Sequence, residues 1–364
     1  MYPLQDGEFA PENRWYVAAW SSEVTTQPLE RWFLDRPVAL YRTEGGEPVA
    51  LAGRCPHRQF PLGRGRVVGD DLQCGYHGFT FRPDGVCIRI PSHLRPPADC
   101  RIASYPVVEK WRWIWIWMGD PAKADASLIP DHGALGLPDP AFEMIADEYL
   151  QVKCRYLLLH DNLFDLTHLS FLHQSNIGSD DIGAVVESRR HGEDWVSSER
   201  AIKGAACPAF FAPVFDYSGL VDRDFGLTLH YPCLHAGFDR FYKAGAGQSP
   251  ASYLGAFRVY HAVTPATRDT THYFFASGRD MAKGDPVFTE QIRQGGLAVL
   301  KEDVMACEEV ERMLATLPSP PKEYPARSDA TGLLGRRIFQ RMIRDERRAV
   351  DARAAERADP VAVG

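Results

Sequence analysis

Four potential metal ligands, two cysteines and two histidines, stand in two short segments near the amino end of the chain. Cys55 and His57 form a Cys-x-His pair, and Cys74 and His77 form a Cys-x-x-His pair after sixteen intervening residues. Prolines and glycines surround both pairs, which is typical of loops. Because thiolate and imidazole are strong ligands for transition metals, this spacing predicts a metal site.

The mixed composition of each pair favours iron–sulfur chemistry over zinc. Structural zinc sites usually combine a pair of cysteines with a pair of histidines, and no Cys-x-x-Cys occurs in this chain. In a [2Fe–2S] cluster with two thiolates on one iron and two imidazoles on the other, each loop gives one ligand to each iron. The imidazoles also raise the reduction potential of such a cluster. We therefore interpret the four residues as cluster ligands, with zinc as the less favoured alternative.

A second group of potential ligands lies in HDNLFDLTHLSFLH, residues 160–173. Asn162, Asp165 and His168 are three residues apart and would share one face of a helix. His173 follows His168 by five residues, about 140° further round an ideal helix, so both imidazoles reach one metal only if the helix ends or unwinds between them. Taken alone, the pattern also suits an amphipathic helix with two satisfied polar histidines.

The elements around these motifs are those of a chain with two domains. A length of 364 residues with 45% hydrophobic residues is sufficient for two cores. Short strand-like runs precede residue 119, and the run 108–120 alternates tryptophan with other residues as a strand does. Residues 119–142, rich in proline, alanine, glycine and aspartate, form the best linker candidate. We predict one domain over residues 1–140 and a second over residues 141–364.

Strand-like runs return after residue 143, interrupted by two helical segments. These are predicted near residues 159–173 and over about residues 285–316, where Asp285 and Pro286 suit the N-cap and the first helical position. The charged segment after residue 335 is predicted to be an amphipathic helix. Its simplest interpretation is a solvated helix or an oligomer contact.

Composition and charge exclude several classes of protein. A net charge of −7 argues against general binding of nucleic acid or anionic membranes. The segment MYPLQDGEFAPENRW has no basic region followed by an apolar one, and no run approaches the roughly 18 apolar residues of a membrane span. The eight cysteines do not suggest a disulfide framework in a chain of this length. These features predict a cytoplasmic protein.

The motifs together resemble those of the Rieske-type ring-hydroxylating oxygenases. The resemblance is carried by CPHR, CGYHG, the segment 160–173 and the late segment LKEDVMACEEVERM. It is closest to the single-subunit-type monooxygenases of the vanillate and dicamba O-demethylase type. It implies an α+β protein, with an N-terminal all-β Rieske domain and an α+β catalytic domain. In the catalytic domain an antiparallel sheet is covered by helices, in the helix-grip arrangement.

The resemblance also implies the ligands of a second metal, a mononuclear Fe(II) ion. His168 and His173 are the expected imidazole ligands, and Asp303 is the expected carboxylate because the family pattern places the acid second in its Glu-Asp pair. Glu302 is the main rival for that position, with Glu308 and Glu309 as weaker ones.

Four further residues take expected roles from the same resemblance. Asp165 would bridge His168 to His77 of a neighbouring subunit, and Asn162 would lie close to the iron without binding it tightly. His261 would line the substrate pocket, although a histidine on a strand is as often a satisfied core residue. Gln294 is also expected to contact the substrate. It stands where some members carry a tryptophan nine residues before the ligand aspartate, which hints at a more polar substrate.

The implied activity is that of an oxygenase component. It would use O2 and electrons to hydroxylate the methyl group of a methoxylated aromatic acid, a small aromatic substrate, giving a phenol and formaldehyde. N-demethylation, or hydroxylation of a methyl group or ring, is the alternative, and a Rieske protein that only transfers electrons is a candidate from another class. No nucleotide-binding glycine motif follows a strand, so a separate NAD(P)H-dependent reductase, flavin and iron–sulfur in type, or a ferredoxin must supply the electrons. A head-to-tail homotrimer is expected.

Overall fold

The amino-terminal part of the computed structural model is built from short strands. The structure describes residues 9–178, 182–319 and 321–358. Eleven strands precede the predicted linker: β1 Trp15–Trp20, β2 Leu29–Phe33, β3 Arg36–Arg42, β4 Pro48–Ala52, β5 Arg66–Val68, β6 Asp71–Gln73, β7 Thr80–Phe81, β8 Cys87–Arg89, β9 Ser104–Tyr105, β10 Val107–Lys110 and β11 Trp113–Trp117.

These strands form three small sheets, with the orders β1-β11-β10, β2-β3-β4-β9 and β5-β6-β7-β8. The last two enclose a compact core under the cysteine and histidine loops, with Leu62, Leu72 and Phe81 fully buried at its centre. The predicted all-β organisation of this region is confirmed.

The carboxyl-terminal part contains one antiparallel sheet of seven strands, in the order β12-β18-β17-β16-β15-β14-β13. Its strands are β12 Glu143–Val152, β13 Ser188–His191, β14 Trp195–Ala206, β15 Leu220–His230, β16 Leu234–Lys243, β17 Tyr253–Pro265 and β18 Thr271–Arg279. Adjacent long strands buried on both faces require cover on both sides of this sheet.

Helices provide one of those covers. They are α1 Tyr156–Phe164, α2 Phe211–Phe215, α3 Pro286–Leu314 and α4 Ala330–Ala358. At the start of α3, the carboxylate of Asp285 accepts from the main-chain amides of Val287 and Phe288, both at 3.0 Å, as the sequence predicted for an N-cap. The predicted α+β class, with an antiparallel sheet covered by helices, is confirmed.

The second cover comes from the amino-terminal part itself. Strands β1 and β11 pack on the face of the large sheet that carries Tyr260, Ala262 and Phe274, and all of these residues share one core. The hydroxyl of Thr264 donates to the carbonyl of Val17 at 2.8 Å across this contact. The two parts are therefore joined by a continuous core, and the division at residues 140/141 stays a prediction.

The charged tail helix α4 is part of the core rather than a solvated surface element. Ile338, Phe339, Met342 and Ile343 are buried with residues of α1 and the large sheet. The carboxylate of Glu346 also accepts from the amides of Glu12 and Asn13 near the amino end. The amphipathic pattern was correct and the interpretation as a solvated helix was wrong, whereas an oligomer contact through the exposed face stays a prediction. Within the described residues, no helix has the length and apolar character that crossing a membrane requires.

Candidate active site

The two loops that carry the first motif have the same main-chain hydrogen bonds. The amide of Cys55 donates to the carbonyl of Phe60 at 3.0 Å, and the amide of Cys74 donates to that of Phe79 at 2.8 Å. Each loop is also closed by a bond to the cysteine carbonyl from the residue four positions later. That residue has a positive φ in both loops, 58° at Gln59 and 73° at Gly78. The sequence thus folds into two matching turns that present their ligands side by side.

The turns separate the thiols from the imidazoles. Cys55 and Cys74 are 1% and 2% exposed, and their thiols interact with each other. His57 and His77 are exposed, with ring centroids 4.5 Å apart. Burial, and then Cys74, raises the pKa of the Cys55 thiol to about 12, whereas a coordinated thiol is deprotonated outright. A buried thiol pair beside an exposed imidazole pair fits a [2Fe–2S] cluster with one iron of each kind.

The second motif begins in helix α1 and continues through a 3₁₀ turn into a loop. Helix α1 ends at Phe164, and a 3₁₀ turn covers Leu166–Ser170, so His173 lies in the loop beyond it. His168 and His173 can therefore face each other, with ring centroids 5.0 Å apart. The expected unwinding between the two histidines is present. The expectation that Asn162, Asp165 and His168 share one helical face was wrong, because the helix ends before Asp165.

Three potential ligand atoms converge at this point. One atom each from His168, His173 and Asp303 lie within 4.8 Å of one another. Nε2 of His173 is 3.0 Å and Nε2 of His168 is 3.4 Å from Oδ1 of Asp303. Asp303 is 4% exposed. Burial by itself raises the pKa of this carboxyl, but the bonds to the two histidines outweigh it and hold the pKa well below its usual range.

The hydrogen bonds on the far side of each ring fix the tautomers. Nδ1 of His168 lies 2.6 Å from the carbonyl of Asp165, and Nδ1 of His173 lies 2.6 Å from the carboxylate of Glu302. Both acceptors require a proton on Nδ1. Rings that are also protonated at Nε2 donate to Asp303, whereas neutral rings point their Nε2 lone pairs at this carboxylate. Acceptors that converge in this way are stable around a cation, so these residues fit a mononuclear metal ion.

Glu302 is therefore an orienting residue rather than the rival ligand that the sequence suggested. Its second oxygen accepts from the amide of Asn176 at 2.9 Å, which holds the carboxylate against His173. Asn162 takes a related position, because its side-chain amide donates to Oδ1 of Asp303 at 2.8 Å. Sequence reasoning did not identify Asn176, although its place three residues after His173 in the same loop was a signal.

The carboxylate of Asp165 does not make the contact with His168 that the resemblance implied. Its carboxylate caps the 3₁₀ turn by accepting from the amide and hydroxyl of Thr167, at 3.1 and 2.6 Å, and lies 3.5 Å from the hydroxyl of Ser328. The main-chain carbonyl, not the carboxylate, accepts from His168. The reason is local: at the end of α1 the side chain satisfies the free amides of the next turn.

A cavity of about 180 Å³ opens next to these three residues, between the large sheet and helix α3. Its wall is largely apolar and aromatic, with Leu163, Phe225, Phe257 and Leu300 among its members. For comparison, a cavity of about 150 Å³ in a protein core accepts one benzene ring. The space therefore suits a substrate with a single aromatic ring.

His261 lies in this wall, on strand β17. Its Nδ1 is 2.7 Å from the hydroxyl of Tyr273. Burial lowers the pKa of His261 to about 4, against the opposing effect of Asp303, so the ring is neutral at physiological pH. It can exchange hydrogen bonds with a substrate without adding charge.

Gln294 does not lie in the wall. It is exposed, and its side-chain amide donates to Glu290 at 2.8 Å. Nine residues at about 100° each place it on the face of α3 opposite Asp303, whereas Ile292 and Gly296 face the cavity. The expectation that Gln294 contacts substrate was wrong, and its hint of a more polar substrate has no support.

An ion pair that the sequence analysis did not identify supplies charge to the cavity wall. Nε and Nη2 of Arg223 donate to the two carboxylate oxygens of Asp239, at 2.9 and 2.6 Å. Arg223 is 4% exposed, and its guanidinium lies over the rings of Phe225 and Phe241. Among the described residues of the wall, it is the only lysine or arginine. No pattern in the strand sequence marks it, because its partner lies on the neighbouring strand.

Two family models match the chain. The Rieske [2Fe-2S] domain matches residues 14–106, and the vanillate O-demethylase oxygenase C-terminal domain matches residues 152–345.

Two characterised relatives are similar over nearly the whole chain. The iron-sulfur subunit of the toluene-4-sulfonate monooxygenase system of Comamonas testosteroni is 34% identical over 92% of this chain and 97% of its own. The oxygenase component of dicamba O-demethylase of Stenotrophomonas maltophilia is 36% identical, over 83% of this chain and 88% of its own.

The crystal structure of dicamba monooxygenase with non-heme iron and dicamba superposes with a TM-score of 0.77. It is 30% identical to this chain and covers 94% of it and 100% of its own length.

Proposed function

The chain belongs to the Rieske non-heme iron monooxygenases with a vanillate O-demethylase-type C-terminal domain, and from this we propose that it demethylates a methoxylated aromatic acid. In this reaction the aromatic ether, O2, two electrons and two protons give the phenol, formaldehyde and water. The members of this family named above act as oxygenase components of multicomponent systems. A separate reductase or ferredoxin is therefore the source of electrons.

The observation that carries the proposal is the convergence of His168, His173 and Asp303 at the edge of an apolar cavity. Two imidazoles and one carboxylate on one face of iron leave positions open for O2 and for an approaching substrate. We assign these three residues as the ligands of the mononuclear iron, and Cys55, His57, Cys74 and His77 as those of the Rieske cluster. The iron, when bound, activates O2, and the cluster supplies electrons to it.

The residues of the cavity bind and orient the substrate. The aromatic side chains and Leu300 enclose the ring and exclude water, which favours an apolar aromatic ether over a sugar or a peptide. The substrate carboxylate is assigned to Arg223, whose charge is shared with Asp239. His261 donates or accepts a hydrogen bond at the ring substituents. Together these contacts leave the methyl group at the end of the cavity next to Asp303.

Transfer of electrons between the two centres is assigned to a contact between subunits. His57 and His77 are exposed, which leaves them accessible to another copy of the chain. His168, held by the carbonyl of Asp165, lies near the surface depression that this acid lines. A head-to-tail homotrimer would bring each cluster to the iron of its neighbour. We retain Asp165 as the bridging residue, with its main-chain carbonyl on His168 and its carboxylate assigned to the neighbouring subunit's cluster side, and Asn162 as the residue that positions Asp303.

The test is formaldehyde release from a panel of methoxylated benzoates, with a surrogate reductase, NADH and O2. Formaldehyde equal to phenol supports demethylation. The panel also includes methylbenzoates, whose ring methyl group cannot be lost as formaldehyde. A hydroxymethyl product from these compounds, with no formaldehyde from the methoxy compounds, would replace demethylation by methyl hydroxylation, a reaction that the similarity to a toluene-4-sulfonate monooxygenase component makes the second candidate. Each panel compound is paired with its methyl ester, because the pair separates recognition of the acid from recognition of the ring.

A further inference from the structure

Two histidines that the proposed reaction does not use form a buried pair behind the cavity. Nδ1 of His160, on α1, lies 2.7 Å from Nε2 of His235, on β16. They are 4% and 0% exposed. Their remaining nitrogens, Nε2 of His160 and Nδ1 of His235, make no hydrogen bond to any described residue. Buried polar atoms of this kind are normally satisfied by water or by a transient partner.

A single shared hydrogen bond gives this pair two neutral arrangements. If His160 is the donor, the second proton of the pair sits on Nδ1 of His235; if His235 is the donor, it sits on Nε2 of His160. Conversion of the first arrangement into the second takes up a proton at His160 and releases one at His235. Neither ring becomes charged. The first arrangement is restored when the shared bond opens and each ring loses the proton on Nε2 to water and takes up a proton from water on Nδ1.

The inner end of the pair has a cavity residue, His261, as its cross-strand neighbour. His235 and His261 are directly opposite each other in the register of β16 and β17, so their side chains project from the same face of the sheet. His261 lies in the cavity wall together with Asp303. The rings are near enough that His160 and His261, after burial as the main cause, hold the pKa of His235 well below its usual range.

The outer end leads towards the surface. A void of about 10 Å³ adjoins His160 and is bordered by Asp161, Gly332 and Arg336. These same three residues also line an open surface depression, beside Asp165. A void of this size is at the lower limit for one water molecule. The nearby carbonyl of Pro232 raises the pKa of His160, an effect smaller than that of burial, but it does not have the geometry of a hydrogen bond to Nε2.

We propose that His160 and His235 relay protons from this depression to the cavity while O2 is reduced. The inference rests on the proposed function, because each turnover consumes two protons: ArOCH3, O2, two electrons and two protons give ArOH, CH2O and H2O. The electrons come from the separate reductase, and the protons come from solvent. Asp161 and the void form the entrance, and His261 is the last group before the substrate.

The low pKa values favour neutral exchange over a charged intermediate. Burial lowers the pKa of His160 to about 3, so a proton held there as imidazolium would be released at once. Concerted exchange along the shared bond avoids placing a charge in the core. The relay residues do not touch the substrate, so their effect is on proton delivery rather than on binding.

The first experiment uses His160→Asn in the complete enzyme with a methoxybenzoate that releases formaldehyde. The Asn amide can still donate to Nε2 of His235, but it has no outer nitrogen and cannot pass a proton on. We expect phenol formed per NADH to fall by about tenfold, less than the roughly 10²-fold or more that a proton-transfer group in direct contact with the substrate contributes. The solvent isotope effect should rise, while iron content and substrate Kd stay unchanged. The thermal midpoint should fall no further than in the control variant described next, which removes a histidine buried to the same degree.

A matched control is His272→Asn, which removes another buried histidine of the same sheet. His272 is satisfied at both nitrogens, by the hydroxyl of Tyr149 at 2.9 Å and the carbonyl of Trp32 at 2.8 Å, and does not line the cavity. The His272→Asn variant should form the same amount of phenol per NADH as the unmodified enzyme. If His160→Asn keeps the coupling and isotope effect of the unmodified enzyme, the pair is only structural and the relay is excluded.

A second experiment needs no turnover. In the full chain labelled with ¹⁵N-histidine, with the cluster oxidised and zinc in place of the mononuclear iron, the ¹⁵N shifts report the tautomer of each ring. The relay requires both arrangements of His160 and His235 to be populated and to exchange, whereas His272 stays fixed as the Nε2–H form. One fixed tautomer in the pair would overturn the relay. This result does not depend on the substrate panel, so a failure of the proposed demethylation remains distinguishable.

Discussion

Glu302 accepts a hydrogen bond from Nδ1 of His173 at 2.6 Å, and this contact sets the direction in which the imidazole presents its other nitrogen. The residue that follows, Asp303, lies 3.0 Å from that other nitrogen. Two adjacent acids on one helix therefore act on opposite sides of one ring. One is assigned to the metal and the other holds the ring in place.

Replacing Glu302 by leucine should weaken iron binding without removing a ligand. Loss of an orienting partner on a metal-bound histidine typically costs about 10- to 100-fold in metal affinity. We expect a loss in this range for Glu302→Leu and a smaller one for Glu302→Gln, whose amide oxygen can still accept from Nδ1. Iron affinity is measured by equilibrium dialysis, with the cluster absorbance as internal reference. Glu309→Gln, an exposed acid of the same helix paired with Arg312, is the control and should not change it.

Asp165→Asn should leave both metal centres occupied and slow electron transfer between them by about 10²-fold, a typical cost of a disturbed geometry. The asparagine oxygen can still accept from Thr167, so the 3₁₀ turn is preserved. The measurement is reoxidation of the reduced cluster by O2 in the presence of substrate. Asp329→Asn, in the same surface depression, is the control. Normal cluster reoxidation in Asp165→Asn would remove the carboxylate from the bridge between subunits.

Asp239→Asn should shift substrate preference towards anions. The substitution removes the negative charge that neutralises Arg223. A bound substrate carboxylate would then supply the counter-charge for this guanidinium in the cavity. We expect KM for a methoxybenzoate to fall relative to its methyl ester. The free energy of unfolding should decrease by about 3 kcal/mol, because one partner of a buried ion pair is left without its charge. If the ratio of KM for the acid to KM for its methyl ester is unchanged, the substrate carboxylate does not bind to Arg223.

His132 should make stability depend on pH below neutrality. It is 3% exposed, packs against Trp113 and Trp115, and makes no ring-nitrogen hydrogen bond to the described residues. Burial, and then Lys110, lowers its pKa from 6.5 to about 4. The unfolded chain then binds more protons than the folded one between these values, so stability falls as the pH falls from 6.5 to 4.

The corresponding test compares the unmodified protein with His132→Phe. The unmodified protein should lose up to about 3 kcal/mol more than the variant across this range, because a full shift of this size corresponds to that free energy. Chemical unfolding at a series of pH values gives the difference, and acid effects shared by both proteins cancel. Parallel pH profiles would show that His132 has the same pKa in the folded and the unfolded chain.

The two Cys-His pairs could be recognised from the sequence as candidate ligands because each pair is local. Cys55 with His57, and Cys74 with His77, lie within single turns, where spacing alone restricts geometry. The break between His168 and His173 was predictable for the same reason, since an intact helix cannot bring both rings to one metal. The N-cap at Asp285 was readable from two adjacent residue types.

Residues whose roles depend on distant partners were not predictable in this way. Arg223 meets Asp239 across two strands, and His160 meets His235 across a helix and a sheet, so no spacing along the chain marks either pair. For Gln294 the sequence predicted a contact that the structure lacks. An offset of nine residues along α3 places its side chain on the face opposite Asp303.

The sequence by itself determined the chemistry: which donor atoms are present and which turns present them, since both follow from residue type and short-range geometry. Only the tertiary structure decided which face of each helix meets the cavity, how Glu302 and Asp303 are arranged around His173, and which buried histidines adjoin. Those choices depend on packing between segments far apart in the chain, and side-chain shape and burial across the whole sheet set them.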